Sequence, residues 1–340
     1  MKTKLDYSKI CADTISFLPR KSQEVLRKRF GLDSLQRRQT LQQVGGLFGV
    51  TRERARQIEV EALSKLRANY SSSKLNSFFV YFKDYLKKHG GLKREDLLLN
   101  DLGGARERNF VFFLLKLAPS SQRLEGGDVF YPFWVQTGDV QDRALALLND
   151  LVKTLEDGKI PLSIEEVYGL FSSKDKAFVN SSIEASRAVE IGPLDKIGLV
   201  AWPEIKPRGV RDAAYLILKK LGRPLHFRDI AGNANGLNGH FFQKKKILPQ
   251  TVHNELIRDP QFILVGRGTY ALKEWGYSEG TVKDVIRGIL EKNGSALTRQ
   301  EILQRVLRQR IVQPNTILLN LNNKTCFKKD EEGRYTLKEI

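Results

Sequence analysis

Four segments of this chain end alike: GDVFYP at 127–132, GLVAWP at 198–203, GTYALK at 268–273 and GRYTLK at 333–338. Their opening glycines, Gly127, Gly198, Gly268 and Gly333, lie 71, 70 and 65 residues apart. Similarity at a fixed period constrains a fold more than any single motif does. This period is longer than that of ordinary solenoids, so each unit is expected to be a small domain. Length alone, at 340 residues, would suggest only about two domains.

Each unit opens on an amphipathic helix: LNSFFVYFKDYLKKHG, DRALALLNDLVKTLED, VRDAAYLILKKLG and TVKDVIRGILEKNG. A short second helix follows a capping-type residue, in SIEEVYGLF, HFRDIAG and TRQEILQRVL, with KREDLLLNDL in that place in the first unit. A third helix comes next, as in LPQTVHNELIRDP and VQPNTILLNLNNK, and two strands around a glycine turn close the unit, as in FILVGRGTYALKEW. Three helices and a hairpin make a winged helix. The expected boundaries are 74–137, 139–206, 208–277 and 279–340. Trp134, Trp202 and Trp275 fall at or just after the closing strand, where packing of the wing onto its domain is expected rather than base stacking.

Residues 1–70 are different. Thr40 and Gln43 have capping-box spacing, and Leu41, Val44, Leu47 and Phe48 recur at helical intervals. Gly49 supplies a turn, and Thr51 caps a second helix whose apolar stripe is Ala55, Ile58, Ala62, Leu63 and Leu66. Arg52, Glu53, Arg56 and Gln57 share the opposite stripe near its N-terminal end. That pattern suits either a solvated face or a helix-turn-helix, whose second helix enters the major groove. There Arg pairs with guanine, Gln with adenine, and Glu accepts from cytosine N4. Arg54, Lys65 and Arg67, on the same helix, are candidates for the DNA backbone. The fold class expected is mainly α with small β-hairpin wings: an N-terminal helix-turn-helix bundle followed by tandem winged helices.

The run LPRKSQEVLRKRFGL at 18–32, followed by TLQQVGGLFGVTRERARQIE, resembles region 4 of the bacterial primary sigma factors, over roughly residues 15–67. In that family the module reads the promoter −35 element and docks on the β flap of RNA polymerase. The resemblance implies base contacts by Arg52, Glu53, Arg56 and Gln57, and backbone contacts at Thr40 and Leu41. Two departures stand out. Ala55 replaces a larger aliphatic residue, and Gly46 replaces a helix-favouring polar one. A Gly in a helix interior costs up to about 1 kcal/mol relative to Ala, so a less rigid first helix is expected. The family's core-clamping and melting region precedes region 4. Only about 15 residues precede it here, so recognition without promoter opening is expected.

The third unit, through VRDAAYLILKKLGRPLHFRDIA and LPQTVHNELIRDPQFILVGRGTYALKEWGY, resembles the HARE-HTH family, which includes the delta subunit of bacterial RNA polymerase. Its candidate DNA contacts are Lys244, Lys245 and Lys246 before the third helix, Gln250, Thr251, His253 and Asn254 on it, and Arg267 at the wing tip. Val252, Leu256 and Ile257 are expected to face the core. A solvated polar face is the competing reading. The third helices of the first and fourth units, NFVFFLLKLA and NTILLNLNN, are too apolar for groove reading and suit a core, a neighbouring unit or a protein partner.

Fifty-seven Lys and Arg against 39 Asp and Glu give a net charge of +18, which favours a polyanionic partner. No apolar run is long enough for a membrane span, and the opening MKTKLDYSKICADT, with Asp6 and no long apolar core, is not expected to be a signal peptide. Two cysteines, Cys11 and Cys326, more than 300 residues apart, argue against a disulfide framework, and the cytosol is the expected compartment. Four scattered histidines offer no metal-ligand spacing. Walker loops, nucleophile elbows and zinc-protease motifs are absent, so no enzyme and no cofactor are expected. The reading that follows is a cytoplasmic, nucleoid-associated transcription factor that binds double-stranded DNA and the RNA polymerase core. Two alternatives are a polymerase-docked scaffold and the DNA-specificity component of a restriction or modification system.

Overall fold

The computed structural model describes residues 5–33, 37–68, 73–119, 121–136, 139–236 and 246–338. The chain is mainly helical with small antiparallel sheets, and it forms two compact bodies. The first comprises residues 1–190 and 196–200, the second residues 191–195 and 201–340. No described helix is long and apolar enough to cross a membrane.

The N-terminal module has four helices: α1 (Tyr7–Ile15), α2 (Arg20–Phe30), α3 (Leu41–Leu47) and α4 (Arg52–Ala68). Local chemistry sets their ends. Asp6 caps α1 by accepting from the Lys9 amide at 2.9 Å, and Gly31 ends α2 in the left-handed conformation. Thr40 and Gln43 form the expected capping box, Gly49 turns at φ 62°, and the Thr51 hydroxyl accepts from the Arg54 amide at 3.1 Å. Val25, Val44, Ala55 and Ile58 form the small core that fixes α3 against α4. Leu47, expected in that core, is 59% exposed; Phe48 and Val50, just beyond the short helix, pack there instead. Leu63 is only half-buried.

In the first winged-helix unit, α5 (Ser73–Lys88) leads to β1 (Leu92–Arg94), then α6 (Glu95–Leu117), β2 (Gln122–Leu124) and β3 (Phe133–Val135). Gly104, at φ 54°, breaks α6 into the second and third helices of the plan. The sheet order is β1-β3-β2, with Leu92 opposite Val135. The closing strand begins at Phe133, after the GDVFYP segment. Gly126 and Gly127, both at positive φ, turn that segment away, and the Tyr131 amide donates to the Ala185 carbonyl at 2.8 Å.

The second unit contains α7 (Asp139–Gly158), α8 (Ile164–Leu170), α9 (Lys176–Ala185), β4 (Val189–Ile191) and β5 (Ile197–Leu199). Ser163 and Glu166 box the start of α8. Here Gly198 lies inside the closing strand rather than ahead of it.

The second body holds the other two units. One has α10 (Val210–Leu221), β6 (Leu225–His226), α11 (Phe227–Asn235), α12 (Pro249–Arg258), β7 (Phe262–Gly266) and β8 (Thr269–Leu272), with sheet order β6-β8-β7. The other has α13 (Val282–Asn293), α14 (Arg299–Leu307), α15 (Pro314–Leu321), β9 (Phe327–Lys329) and β10 (Tyr335–Leu337). Each has its own core, and the closing strands start just after Gly268 and Gly333 as the period predicts. The buried Arg310 joins them, donating to the carbonyls of Leu264, Ser278 and Gly280, while the Ile311 amide donates to Val265 O at 2.8 Å.

Candidate nucleic-acid interface

On α4 the four residues expected to read bases are all exposed, as is Arg54. They are not independent. Arg56 holds Glu53 through two hydrogen bonds, Nε to Oε2 at 2.9 Å and Nη2 to Oε1 at 2.7 Å. Arg54 Nη1 donates to Gln57 Oε1 at 3.1 Å. The bond from Arg56 holds the Glu53 carboxyl below its ordinary range, and the same bond raises Arg56. Glu53 is therefore a carboxylate at neutral pH, an acceptor that can meet a cytosine amino group. The pair is solvent-exposed, which keeps its net contribution modest although its geometry is bidentate. Arg52 has no hydrogen bond or ion pair among the described residues and projects free from the first turn.

The helix is braced from behind. Arg29 on α2 pairs with Glu59 at 3.2 Å and donates to the Gln39 carbonyl at 2.9 Å, tying the segment ahead of α3 to α4. A Cβ on Gly45 would lie 2.7 Å from the Val50 carbonyl oxygen, so only glycine allows this approach; at Gly46 the same position is open. The sequence pattern singles out Gly46 rather than Gly45, because which of two adjacent glycines faces the Val50–Thr51 turn is set by the packing of that turn on α3. Thr40 is exposed with its hydroxyl spent in the cap, and Leu41 is half-buried against the small core. Further along α4, Lys65 pairs with Glu61 at 2.7 Å, and Arg67 Nη2 donates to the Lys116 carbonyl at 2.8 Å. Arg67 thus also ties the module to α6.

The third helices of the four units divide into two kinds. In the first unit, Phe110 through Leu115 and Leu117 are buried, in one core with Ile10, Cys11, Leu26, Phe30 and Leu66 of the N-terminal module. Phe30 meets Phe113 with ring centroids 5.2 Å apart, and Cys11 Sγ lies 3.6 Å from the Phe110 carbonyl. In the second unit α9 is buried along β1. There the buried Lys93 ammonium pairs with Glu184 at 2.6 Å, and Gly90 leaves room for the Phe178 backbone. Neither helix is free to enter a groove.

On α12 the polar side chains Gln250, Thr251 and Asn254 are exposed, with Lys246 ahead of the helix and Arg267 in the two-residue wing turn before Gly268. Gln250 Nε2 donates to Asn254 Oδ1 at 3.2 Å. Lys244 and Lys245 lie outside the described residues. His253 is turned inward. Its ring lies 4.6 Å from that of Phe227, and its Nδ1 meets the Tyr270 hydroxyl at 3.1 Å. Ile257 is 63% exposed rather than in the core, since it sits about 100° around the helix from the buried Leu256. On α15, Asn315, Thr316 and Leu319 face outward without a basic side chain.

Two helix-turn-helix classes are therefore joined in one chain. Residues 15–68 match the family model described as Sigma-70, region 4. Residues 208–275 match the HARE-HTH model, whose description names ASXL and a restriction endonuclease HTH domain. Over 66 residues the chain is 52% identical to RNA polymerase sigma factor SigA of a Bacillus species, covering 19% of this chain and 17% of that protein. The same identity and coverage hold for RNA polymerase sigma factor SigA of Listeria monocytogenes. The chain thus spans about 17% of the length of these curated relatives.

Proposed function

We propose that this protein is a DNA-binding transcription factor that acts with bacterial RNA polymerase, its N-terminal module recognising a −35-like promoter element. The observation that carries this reading is the exposed Arg52, Glu53, Arg56 and Gln57 on α4, braced by Arg29–Glu59 and by the close packing at Gly45, in a segment 52% identical to a sigma factor. The mechanism is non-covalent. Lys and Arg displace counterions from phosphates, and a few side chains on α4 select bases. Partners in this reading are duplex DNA and the polymerase core, through its β flap, within the cytoplasm at the nucleoid.

The winged helices then serve two roles. The first two units spend their third helices internally and act as a rigid mount for the N-terminal module. The unit with α12 offers a second duplex contact through Lys246, Gln250, Thr251, Asn254 and Arg267. Purification of the tagged full chain from nuclease-treated native lysate tests the partner. Recovery of RNA polymerase core subunits supports the proposal. Recovery of a nuclease or methyltransferase in their place contradicts it and favours a restriction or modification role.

A further inference from the structure

At the junction of the N-terminal module and the first winged-helix unit lies a cavity of about 380 Å³, lined in part by Arg38, Arg108, Asn109, Glu95 and Asp96. Its two acids are already neutralised. Glu95 accepts from Arg123 Nη2 at 2.9 Å and from the Trp134 indole at 3.0 Å, and Asp96 takes both ends of Arg94 at 2.6 Å. Neither arginine has a carboxylate within ion-pair distance among the described residues. Arg38 donates to the neutral Asn109 amide oxygen at 2.8 Å and lies over the Phe112 ring at 3.9 Å. Asn109 in turn donates to the Gly31 carbonyl at 3.3 Å, so the guanidinium is held in place. Arg108 is exposed and has no hydrogen bond or ion pair among the described residues. Burial lowers the Arg38 pKa; Glu95 opposes the shift, and repulsion from Arg108, Arg123 and Arg29 adds to it. Positive charge is thus collected here in excess of local carboxylate, on two guanidiniums that are both exposed to solvent and so open to an anion.

Position narrows the anion. Arg38 lies two residues before Thr40, a reach of at most about 7 Å. That spans about two base-pair rises along the helix axis, within reach of a phosphate next to one held at Thr40. We infer that Arg38 and Arg108 form a phosphodiester site, which continues the backbone contact of the helix-turn-helix onto the first winged-helix unit. The inference rests on the duplex binding proposed above. It gives that unit a role in DNA contact although its third helix is buried, and the residues come from two domains that neither resemblance joins.

The test is the salt dependence of duplex binding by the full chain. The Arg108 side chain is exposed, with no hydrogen bond or ion pair among the described residues, so Arg108→Ala and Arg108→Glu are expected to fold; Arg38→Gln is the second probe. Each phosphate contact contributes about 0.9 to the slope of log affinity against log salt. Arg108→Ala should lower the slope by about that amount, equally on selected and random duplexes, so that affinity falls about 3.5-fold less between 50 and 200 mM salt. A single methylphosphonate at the contacted position should weaken the unsubstituted chain and leave Arg108→Ala unaffected. An unchanged slope in all three variants overturns the site while leaving recognition by α4 standing. Displacement of duplex by millimolar inorganic phosphate at fixed ionic strength, lost in Arg108→Ala, would assign the cavity to free phosphate and overturn the backbone assignment. Absence of duplex binding by the unsubstituted chain overturns both readings.

Discussion

Phe113→Ala separates a structural third helix from a groove-reading one. Phe113 is fully buried, in edge contact with Phe30 at 5.2 Å and in the core shared by α1, α2, α4, α5 and α6. Truncating a buried Phe removes its transfer free energy and leaves a cavity, together costing about 3–5 kcal/mol. For a body of this size each kcal/mol lowers the melting temperature by about 2–4 °C, so a drop of roughly 6–20 °C is expected. Calorimetry of the full chain measures the drop. Duplex titration well below the new transition measures binding by the molecules that remain folded. Melting should fall while affinity per folded molecule stays within about twofold, the scale of an ordinary context effect. Unchanged melting would refute the burial argument. Unchanged melting with lost affinity would make α6 a DNA reader and overturn the division between buried and free third helices.

Three further outcomes follow from the same reasoning. Gly45→Val forces a Cβ onto the Val50 carbonyl and should lower helix-turn-helix stability and duplex affinity together, whereas Gly46→Ala, with open space, should stabilise α3 by up to about 1 kcal/mol; paired melting and binding curves decide it. Burial pushes the Cys11 thiol well up, while a bond with Thr325 and the nearby Lys283 and Arg287 lower that of Cys326. In the folded protein iodoacetamide should therefore alkylate Cys326 first, and equal rates by mass spectrometry would contradict the packing around Cys11. The carboxyls of Glu166, Asp284 and Glu301 are held low first by the hydroxyls of Ser163, Thr281 and Thr298 that they accept from, and then by the amides of the same residues. A depressed folded value means the stabilisation is complete above the ordinary carboxylate pKa and is lost as pH falls through the folded one. Thr298→Ala should move the Glu301 titration up in an NMR series, and a fixed midpoint would contradict the cap.

Much of the N-terminal module was legible because its rules are local. Thr40 and Gln43, Gly49 and Thr51 each act within four residues, and each does in the structure what its spacing predicts. The apolar third helices were legible as unsuited to a groove, but not what covers them. Phe113 meets Phe30 across more than 80 residues, a pairing that no local pattern encodes. Face assignment failed where two apolar or aromatic residues compete for one side, as with Leu256 and Ile257, and where a polar ring finds an internal partner, as His253 does in Tyr270. The closing strand starts late in the first unit because Gly126 and Gly127 serve a loop that crosses to a neighbour, and in the second unit Gly198 sits within the strand itself. The period alone reads every such glycine as a hairpin turn.

The central claim is that α4 selects a DNA sequence. Its most direct measurement is selection of duplexes from a random pool by the full chain, repeated with Arg56→Ala and Gln57→Ala. The account predicts one enriched motif of −35 type. Each variant should bind it roughly 5- to 150-fold more weakly, with random-duplex affinity little changed. An unenriched pool, or equal weakening on every sequence, would contradict it.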